Sequence, residues 1–311
     1  MNRPLYKAGL LLHLGTILPA GLLVIFQFIP IIRYKLLVLH RINGYVIVLL
    51  LLASNAGALI VARHAFGGTI NTQIWVGVLV IATTFGATMA YINIKRLQIE
   101  EHRAWMIRTW VYAASIVTLR LIMIITTLSI TNLTGKKPDG DAVYHHTMPC
   151  SQILYMIRQN IPGGPAMMAL QKQYPGCFQP NTTTFLPAEV VAVRADFNGN
   201  KPQIAASMDL TFGAAGWLAL LLHAIGVEIY LRLTPREHER LRKVSYQRQL
   251  EAGFSHPGSA GLVKERIGDA EPWVVPQTDD EKLRSIECTE SGSDRQSGEE
   301  GTETTAREEG L

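Results

Sequence analysis

The sequence predicts an all-α integral membrane protein with about five transmembrane helices, a long extracytosolic loop and a disordered cytosolic tail. Apolar residues make up 48% of the 311 positions and charged residues only 17%. Of the 25 Asp and Glu, only eight precede residue 232, too few for the surface of an ordinary soluble domain. This composition argues against a soluble enzyme and against a nucleic-acid-binding protein.

Five apolar runs have the length of about 20 residues that crosses a bilayer as a helix. A helix suits this environment because it satisfies its own backbone hydrogen bonds in lipid. The short alternating strands of a membrane β-barrel are absent from the sequence. The runs predict a bundle over residues 1–232, with spans at 5–29, 43–61, 74–94, 104–130 and 208–231.

Basic residues in the short loops predict the orientation, because cytosolic loops are enriched in Lys and Arg. The second loop carries only Arg63. The first loop, the third loop and the segment after the fifth span are basic: Arg33, Lys35, Arg41, Lys95, Arg96, Arg103, Arg232, Arg236, Arg240, Arg242 and Lys243. We therefore expect a cytosolic C-terminus and an outer loop at 131–207, in a plasma membrane or an endomembrane.

The outer loop carries two cysteines and two N-glycosylation sequons. We expect a glycan on Asn181, and hindered transfer at Asn132, which follows the fourth span closely. An oxidising compartment favours a disulfide between Cys150 and Cys177. Their spacing alone does not establish the pairing. Cys288, in the tail, is expected to be a free thiol.

The C-terminal part divides by composition into two segments. Residues 233–268 form a basic juxtamembrane segment, in which Arg236, Arg240 and Lys243 share one helical face. That face either binds anionic lipid head groups or belongs to a solvated helix. Residues 269–311 hold 13 acids and four bases, with many Ser, Thr and Gly. Such a segment cannot bury a core, so the sequence predicts disorder there.

Three histidines at the cytosolic side are the main candidates for chemistry. His40 and His102 open the second and fourth spans, and His223 lies about two turns inside the fifth. Two of these imidazoles would ligate haem b, and all three would suit a metal ion. Arg41, Arg103 and Arg108 are placed to pair with haem propionates. The alternative is that these histidines bond helix ends and lipid head groups. His13 and His64 form a second candidate pair on the outer side.

Three further charged residues lie at membrane depth, where an unpaired charge is costly. Arg120 is 18 residues from His102, which is five helical turns, so the two share one face. We expect Arg120 to pair with Asp209, with Asn55 as a neutral alternative. Glu228 points about 140° away from His223 around the same helix, so the two are not expected to pair.

Two motifs resemble a family of predicted multi-pass membrane proteins of unknown function, found in bacteria and fungi. The resemblance covers residues 36–130 and supports the membrane fold without implying a reaction. The patterns are His-Arg-x-x-Gly, here His40-Arg41-Ile42-Asn43-Gly44, and His-Arg-x-Trp-Met-Ile-Arg, here His102-Arg103-Ala104-Trp105-Met106-Ile107-Arg108, followed by Val117-Thr118-Leu119-Arg120. The fifth span and the segments 245–250 and 257–262 resemble the fungal branch.

The leading functional hypothesis is a haem-b membrane redox protein, similar in plan to cytochrome b561-type bundles. One alternative is a non-catalytic scaffold, receptor-like protein or transporter accessory. Another is a metal-dependent intramembrane enzyme that uses His40, His102 and His223. The lipid bilayer is the expected partner in each case, and no nucleic acid is expected.

Overall fold

The computed structural model describes residues 4–134, 144–159 and 164–275. Within these residues, five helices are long and apolar enough to cross a membrane, which confirms the predicted fold class. The short helix α2 (Pro30–Lys35) connects the first two of them. The five long helices are α1 (Pro4–Phe28), α3 (Leu37–Ala62), α4 (Ile70–Lys95), α5 (Ile99–Thr134) and α8 (Lys201–Leu233).

The helices α5 and α8 are longer than the apolar runs that predicted them. The ends of both helices therefore extend a few residues into the predicted outer loop at 131–207. The start of α8 is fixed by a capping box. Gln203 N–H donates to Asn200 Oδ1 at 3.1 Å, and Asn200 N–H donates to Gln203 Oε1 at 2.9 Å. Hydropathy finds the apolar part of a helix, whereas capping decides where the helix begins.

The helix α5 is the centre of the bundle and packs against both α4 and α8. Trp75, Leu119 and Phe212 represent these three helices in one buried apolar cluster. The helix α1 packs along α3, and a second cluster that includes Ile47 and Trp110 joins this pair to α4 and α5. The outward faces keep large apolar side chains exposed, as a lipid-facing surface requires.

The predicted outer loop contains a small folded domain, residues 144–159 and 164–200, which we call the loop domain. Its helices are α6 (Cys150–Arg158) and α7 (Gly164–Gln173). Its strands β1 (His145–Pro149) and β2 (Val190–Arg194) pair in antiparallel register. In the structure Cys150 and Cys177 form a disulfide with a Cα–Cα distance of 5.6 Å, and both are fully buried. Ile153, Leu170 and Val193 complete the core.

The segment after α8 folds back onto the bundle. Residues 235–275, which we call the C-terminal cap, contain α9 (Pro235–Glu251) and α10 (Lys264–Ile267). The cap covers the end of the bundle where α4 and α8 end and α5 begins, which we call the basic end. The opposite end, beside the loop domain, is the loop-domain end.

The predicted boundary at residue 269 falls inside the C-terminal cap. Trp273 packs against Tyr246 at 5.9 Å between ring centroids, and Arg242 lies 4.9 Å from the Trp273 ring. Composition cannot reveal that one tryptophan in a polar segment finds a partner on a helix. The rest of the predicted acidic tail, with Cys288, lies outside the described residues.

The helices α1 and α3 approach each other closely at two glycines. A Cβ atom built on Gly57 would lie 2.7 Å from the backbone nitrogen of His13 and 2.8 Å from the carbonyl oxygen of Gly9. These are backbone atoms, which cannot move aside as a flexible side chain could. Small residues at such a crossing let two membrane helices pack backbone to backbone.

We predict that Gly57→Ala separates α1 from α3 and lowers the thermal stability of the protein in detergent. The collision should outweigh the gain of about 1 kcal/mol in helix propensity, because overpacking costs roughly 1–3 kcal/mol. Gly44→Ala is the matched control, since nothing lies within 4 Å of a Cβ there. Equal melting temperatures for the two variants would contradict the close approach.

Candidate functional site

His40 and His102 lie in the first turns of α3 and α5, at the basic end, and form the candidate site. The Nδ1–H of His102 donates to the carbonyl oxygen of Ala90 on α4 at 2.9 Å. This bond fixes the tautomer and leaves Nε2 as the nitrogen with a free lone pair. The Nδ1 atom of His40 is buried and has no hydrogen-bond partner among the described residues. The two imidazoles lie at the same end of two different helices.

His223 does not join this pair, so the predicted three-histidine arrangement is not assembled. Its Nδ1 donates to the carbonyl oxygen of Val111 at 2.6 Å, and its Nε2 accepts from Thr118 Oγ1 at 2.8 Å. Val111 is about 14 Å along α5 from His102, at 1.5 Å per residue. Both ring nitrogens of His223 are therefore hydrogen-bonded to residues of α5. Within the described residues no group of three His, Cys, Asp or Glu could hold a metal ion.

Arg108 pairs with Glu228 instead of remaining available for a propionate. Arg108 Nε donates to Glu228 Oε1 at 2.6 Å and Nη2 donates to Oε2 at 3.0 Å. This bidentate pair joins α5 to α8, with side chains 20% and 45% exposed. Glu228 and His223 do not pair with each other, as expected, because both bond to α5, Glu228 to Arg108 and His223 to Val111 and Thr118. Sequence reasoning missed the ion pair because it assigned Arg108 to a propionate and compared Glu228 only with His223.

The other two predicted propionate partners lie on the outside of the basic end. Arg41 is exposed on the first turns of α3. Arg103 donates to the Tyr230 hydroxyl at 3.3 Å, and its guanidinium lies 5.8 Å from the ring centroid. Each of the two arginines directly follows a candidate histidine in the sequence. Neither forms an ion pair within the described part of the chain.

The predicted pairing of Arg120 with Asp209 is wrong. The Arg120 guanidinium lies 5.1 Å from the Phe66 ring and 5.6 Å from the Phe212 ring. Asp209 instead faces His146 on β1, with 3.9 Å between Oδ2 and Nε2. The neutral alternative, Asn55, donates to Thr83 and Thr84.

The turn between α3 and α4 keeps Arg120 and Asp209 apart. Its residue Phe66 stacks on Phe212 at 3.9 Å, under the Arg120 guanidinium. The next residue, Gly67, lies against the acid, since a Cβ there would be 3.1 Å from Asp209 Oδ2 and 2.8 Å from His146 Nε2. The positive φ of 74° at Gly67 also favours glycine. The expected pairing of Arg120 with Asp209 did not take this turn into account.

His146 connects the loop domain to the bundle through Asp209. The side chains of His146 and Asp209 are 12% and 9% exposed. Burial lowers the pKa of His146, because it disfavours the charged imidazolium. No local sequence pattern points to this pair, because His146 lies on a strand of the loop domain and Asp209 on a transmembrane helix. The outer-side pair of His13 and His64 does not form, because His13 bonds Ser54 and His64 stacks on Tyr6.

Comparison with known proteins supports the membrane class and names no reaction. Residues 10–137 match a family model described as "Predicted membrane protein (DUF2306)". A protein of Aspergillus versicolor, "Ava biosynthesis cluster protein G", is 22% identical over 240 residues, which cover 68% of this chain and 65% of that protein. The chain thus spans slightly less than two thirds of this relative. No solved structure matches.

We predict that Arg108 and Glu228 are energetically coupled. In a double-mutant cycle, Arg108→Gln and Glu228→Gln should each lower the free energy of unfolding, and the double variant should lose less than their sum. The partly exposed pair should give a coupling of about 0.5–1 kcal/mol. Arg240→Gln with Glu237→Gln, an exposed pair within α9, is the control and should couple more weakly. Additive losses for Arg108 and Glu228 would contradict the pair.

Proposed function

We propose that this chain is a haem-b-binding membrane redox protein with His40 and His102 as axial ligands. One observation carries the proposal. His102 is held by Ala90 with its Nε2 free, and His40, at the same end of the bundle, has a buried Nδ1 without a hydrogen-bond partner among the described residues. Two histidines on different helices are the ligand set of haem b in helical membrane bundles. The proposal keeps the plan of cytochrome b561-type bundles that was expected from the sequence.

The residues around His40 and His102 are of the chemical types that hold haem b. The carbonyl oxygen of Ala90 would orient the His102 ring and raise its basicity, as partners of ligating histidines do. Arg41 and Arg103 would neutralise propionates, while Arg108 would keep Glu228 as its partner. Trp110 offers a further buried N–H without an acceptor among the described residues, in an apolar cluster shared with Ile47. Haem b would supply one-electron transfer when bound.

The relative gives this proposal a biological setting. The name of the Aspergillus versicolor protein places that protein in a biosynthesis cluster. We extend this setting to the present chain, and propose that electron transfer through the basic end serves a biosynthetic reaction.

The full-length protein, purified from haem-replete cells, should show a Soret absorption band. We predict that His40→Ala and His102→Ala each abolish the band, because each removes one axial ligand. His145→Ala, a change of an exposed histidine in the loop domain, should leave it unchanged. A colourless wild-type preparation would overturn the proposal. Zinc, copper or iron bound without a Soret band would also overturn the haem assignment.

A second candidate is a non-catalytic scaffold, receptor-like protein or transporter accessory. The observation that favours it is the presence of a folded structure at each end of the bundle, the loop domain and the C-terminal cap. Each offers a surface outside the membrane to a protein partner. A colourless protein that co-purifies with a stable partner would support this role.

We also propose that the basic end faces the cytosol and that the loop domain lies outside it. The basic loops and the disulfide between Cys150 and Cys177 support this orientation. Asn181 is exposed in a turn at a φ of 62°, which leaves its side chain accessible to a glycan. The exposed face of α9 carries Arg236 and Lys243, which would meet anionic lipid head groups.

We predict that Asn181→Gln removes a glycan from the protein made in a eukaryotic host. The mobility of the wild type on a gel should increase with glycosidase, and that of Asn181→Gln should not. Asn132→Gln is the control and should still respond, because Asn132 lies within the last turn of α5. A C-terminal tag reached from outside intact cells would overturn the orientation.

A further inference from the structure

The turn between α4 and α5 is held from outside by the C-terminal cap. Residues 96–98 reverse the chain direction, and Leu97 adopts a positive φ of 56°, an uncommon conformation for leucine. Three polar side chains are completely buried in the contact between the turn and the cap: Gln98 of the turn, and Ser245 and Gln249 of α9. A buried polar group must be hydrogen-bonded to be tolerated, so their bonds define the contact.

Ser245 caps the start of α5 from a different helix. The Ile99 N–H donates to Ser245 Oγ at 2.8 Å, and Ser245 Oγ donates to Glu100 Oε2 at 2.5 Å. The first N–H groups of a helix have no partner within the helix and are usually capped by a neighbouring residue in the chain. Here the capping hydroxyl comes from 146 residues further along the chain. The start of α5 is therefore set by the position of α9.

Gln98 and Gln249 extend this contact to the segment that follows α9. Gln249 Nε2 donates to Gln98 Oε1 and to the carbonyl oxygen of Arg96, both at 2.9 Å. Gln98 Oε1 also accepts from Gly261 N–H at 2.9 Å, and Gln98 Nε2 donates to the carbonyl oxygen of Gly258 at 2.9 Å. The two glycines lie in the segment 257–262, which the sequence comparison with the fungal branch singled out without explaining it.

The cap also reaches the end of α4 that holds His102. Leu262 N–H donates to Asn93 Oδ1 at 2.7 Å, one turn of α4 beyond Ala90. Ala90 supplies the carbonyl that accepts from His102 Nδ1. The His102 N–H itself donates to the carbonyl oxygen of Gln98 at 3.0 Å. The cap thus holds both elements that fix the His102 side chain, the end of α4 and the first turn of α5.

We propose that the C-terminal cap positions His102, with Ser245, Gln249 and Gly261 as its positioning residues. The cap fixes the relative placement of the α4 end and the α5 start, and so the bond from His102 to Ala90. The expected effect on a bound haem rests on the proposed function. The positioning of the imidazole does not, and it is measured separately.

Hydrogen exchange and chemical modification of the full-length, haem-free protein test the positioning. Ser245→Ala should raise exchange of the backbone amides at 99–102 by at least about fivefold, because it removes the cap of the Ile99 N–H and so loosens the first turn. It should also change the rate at which diethyl pyrocarbonate modifies His102. Gln247→Ala, at an exposed position of the same helix, is the matched control and should change neither rate.

Gly261→Ala is the second variant and acts from the other side of the contact. A Cβ there would lie 2.5 Å from the Gln98 Cβ, so the methyl group pushes the segment away from the turn without altering α9. It should raise exchange at 99–102 in the same direction as Ser245→Ala. This variant keeps the test decisive if Ser245→Ala fails to fold.

The possible outcomes distinguish the positioning role of the cap from the binding of haem. If the wild type binds haem, both variants should shift the Soret band or the midpoint potential. If the wild type binds none, the proposed function fails, and the exchange and modification rates still decide the role of the cap. Unchanged exchange would overturn the positioning role. Faster exchange with an unchanged modification rate of His102 would also overturn it, because the cap would then support the helix alone.

Discussion

In a bilayer, the polar side chains of α5 have no water to bond with and need hydrogen-bond partners on neighbouring elements. The positions of those elements around α5 are fixed by these bonds. His102 bonds the backbone of α4, Arg108 bonds Glu228 on α8, and Thr118 bonds His223 on α8. Nearer the loop-domain end, the hydroxyl groups of Thr127 and Thr211 form one hydrogen bond at 2.9 Å. At the basic end, the first turn of α5 is capped by α9. The arrangement around α5 follows from these bonds together with the apolar clusters.

The same constraint separates the histidines of the bundle by role. An imidazole whose two nitrogens are both bonded within the chain holds helices together and has no lone pair for a ligand. His223 belongs to this group. His102 keeps one nitrogen free, and His40 keeps a buried nitrogen without a partner in the described chain. The proposed cofactor site therefore rests on which bonds are missing as well as on which residues are close.

The two ends of the bundle are closed by structures with different physical character. The loop domain has a disulfide and an apolar core to which Ala206 of α8 contributes. It also meets the bundle at the buried pair of His146 and Asp209 and at the bond from Phe197 N–H to Thr131 Oγ1. The C-terminal cap meets the bundle through a network of buried amides and hydroxyls, extended by the buried ion pair of Arg242 and Glu265 at 2.7 Å. A buried polar network specifies one geometry, because each missing partner would leave a buried group unsatisfied.

The sequence by itself determined the five spans and placed His40 and His102 at two helix starts. Each of these follows from local hydropathy, spacing or composition, which one segment carries alone. Only the tertiary structure decided that Arg108 meets Glu228, that Phe66 and Gly67 separate Arg120 from Asp209, and that Ser245 caps α5. Such contacts join residues far apart in the chain, and they depend on how helices rotate and turns insert, which no local pattern encodes.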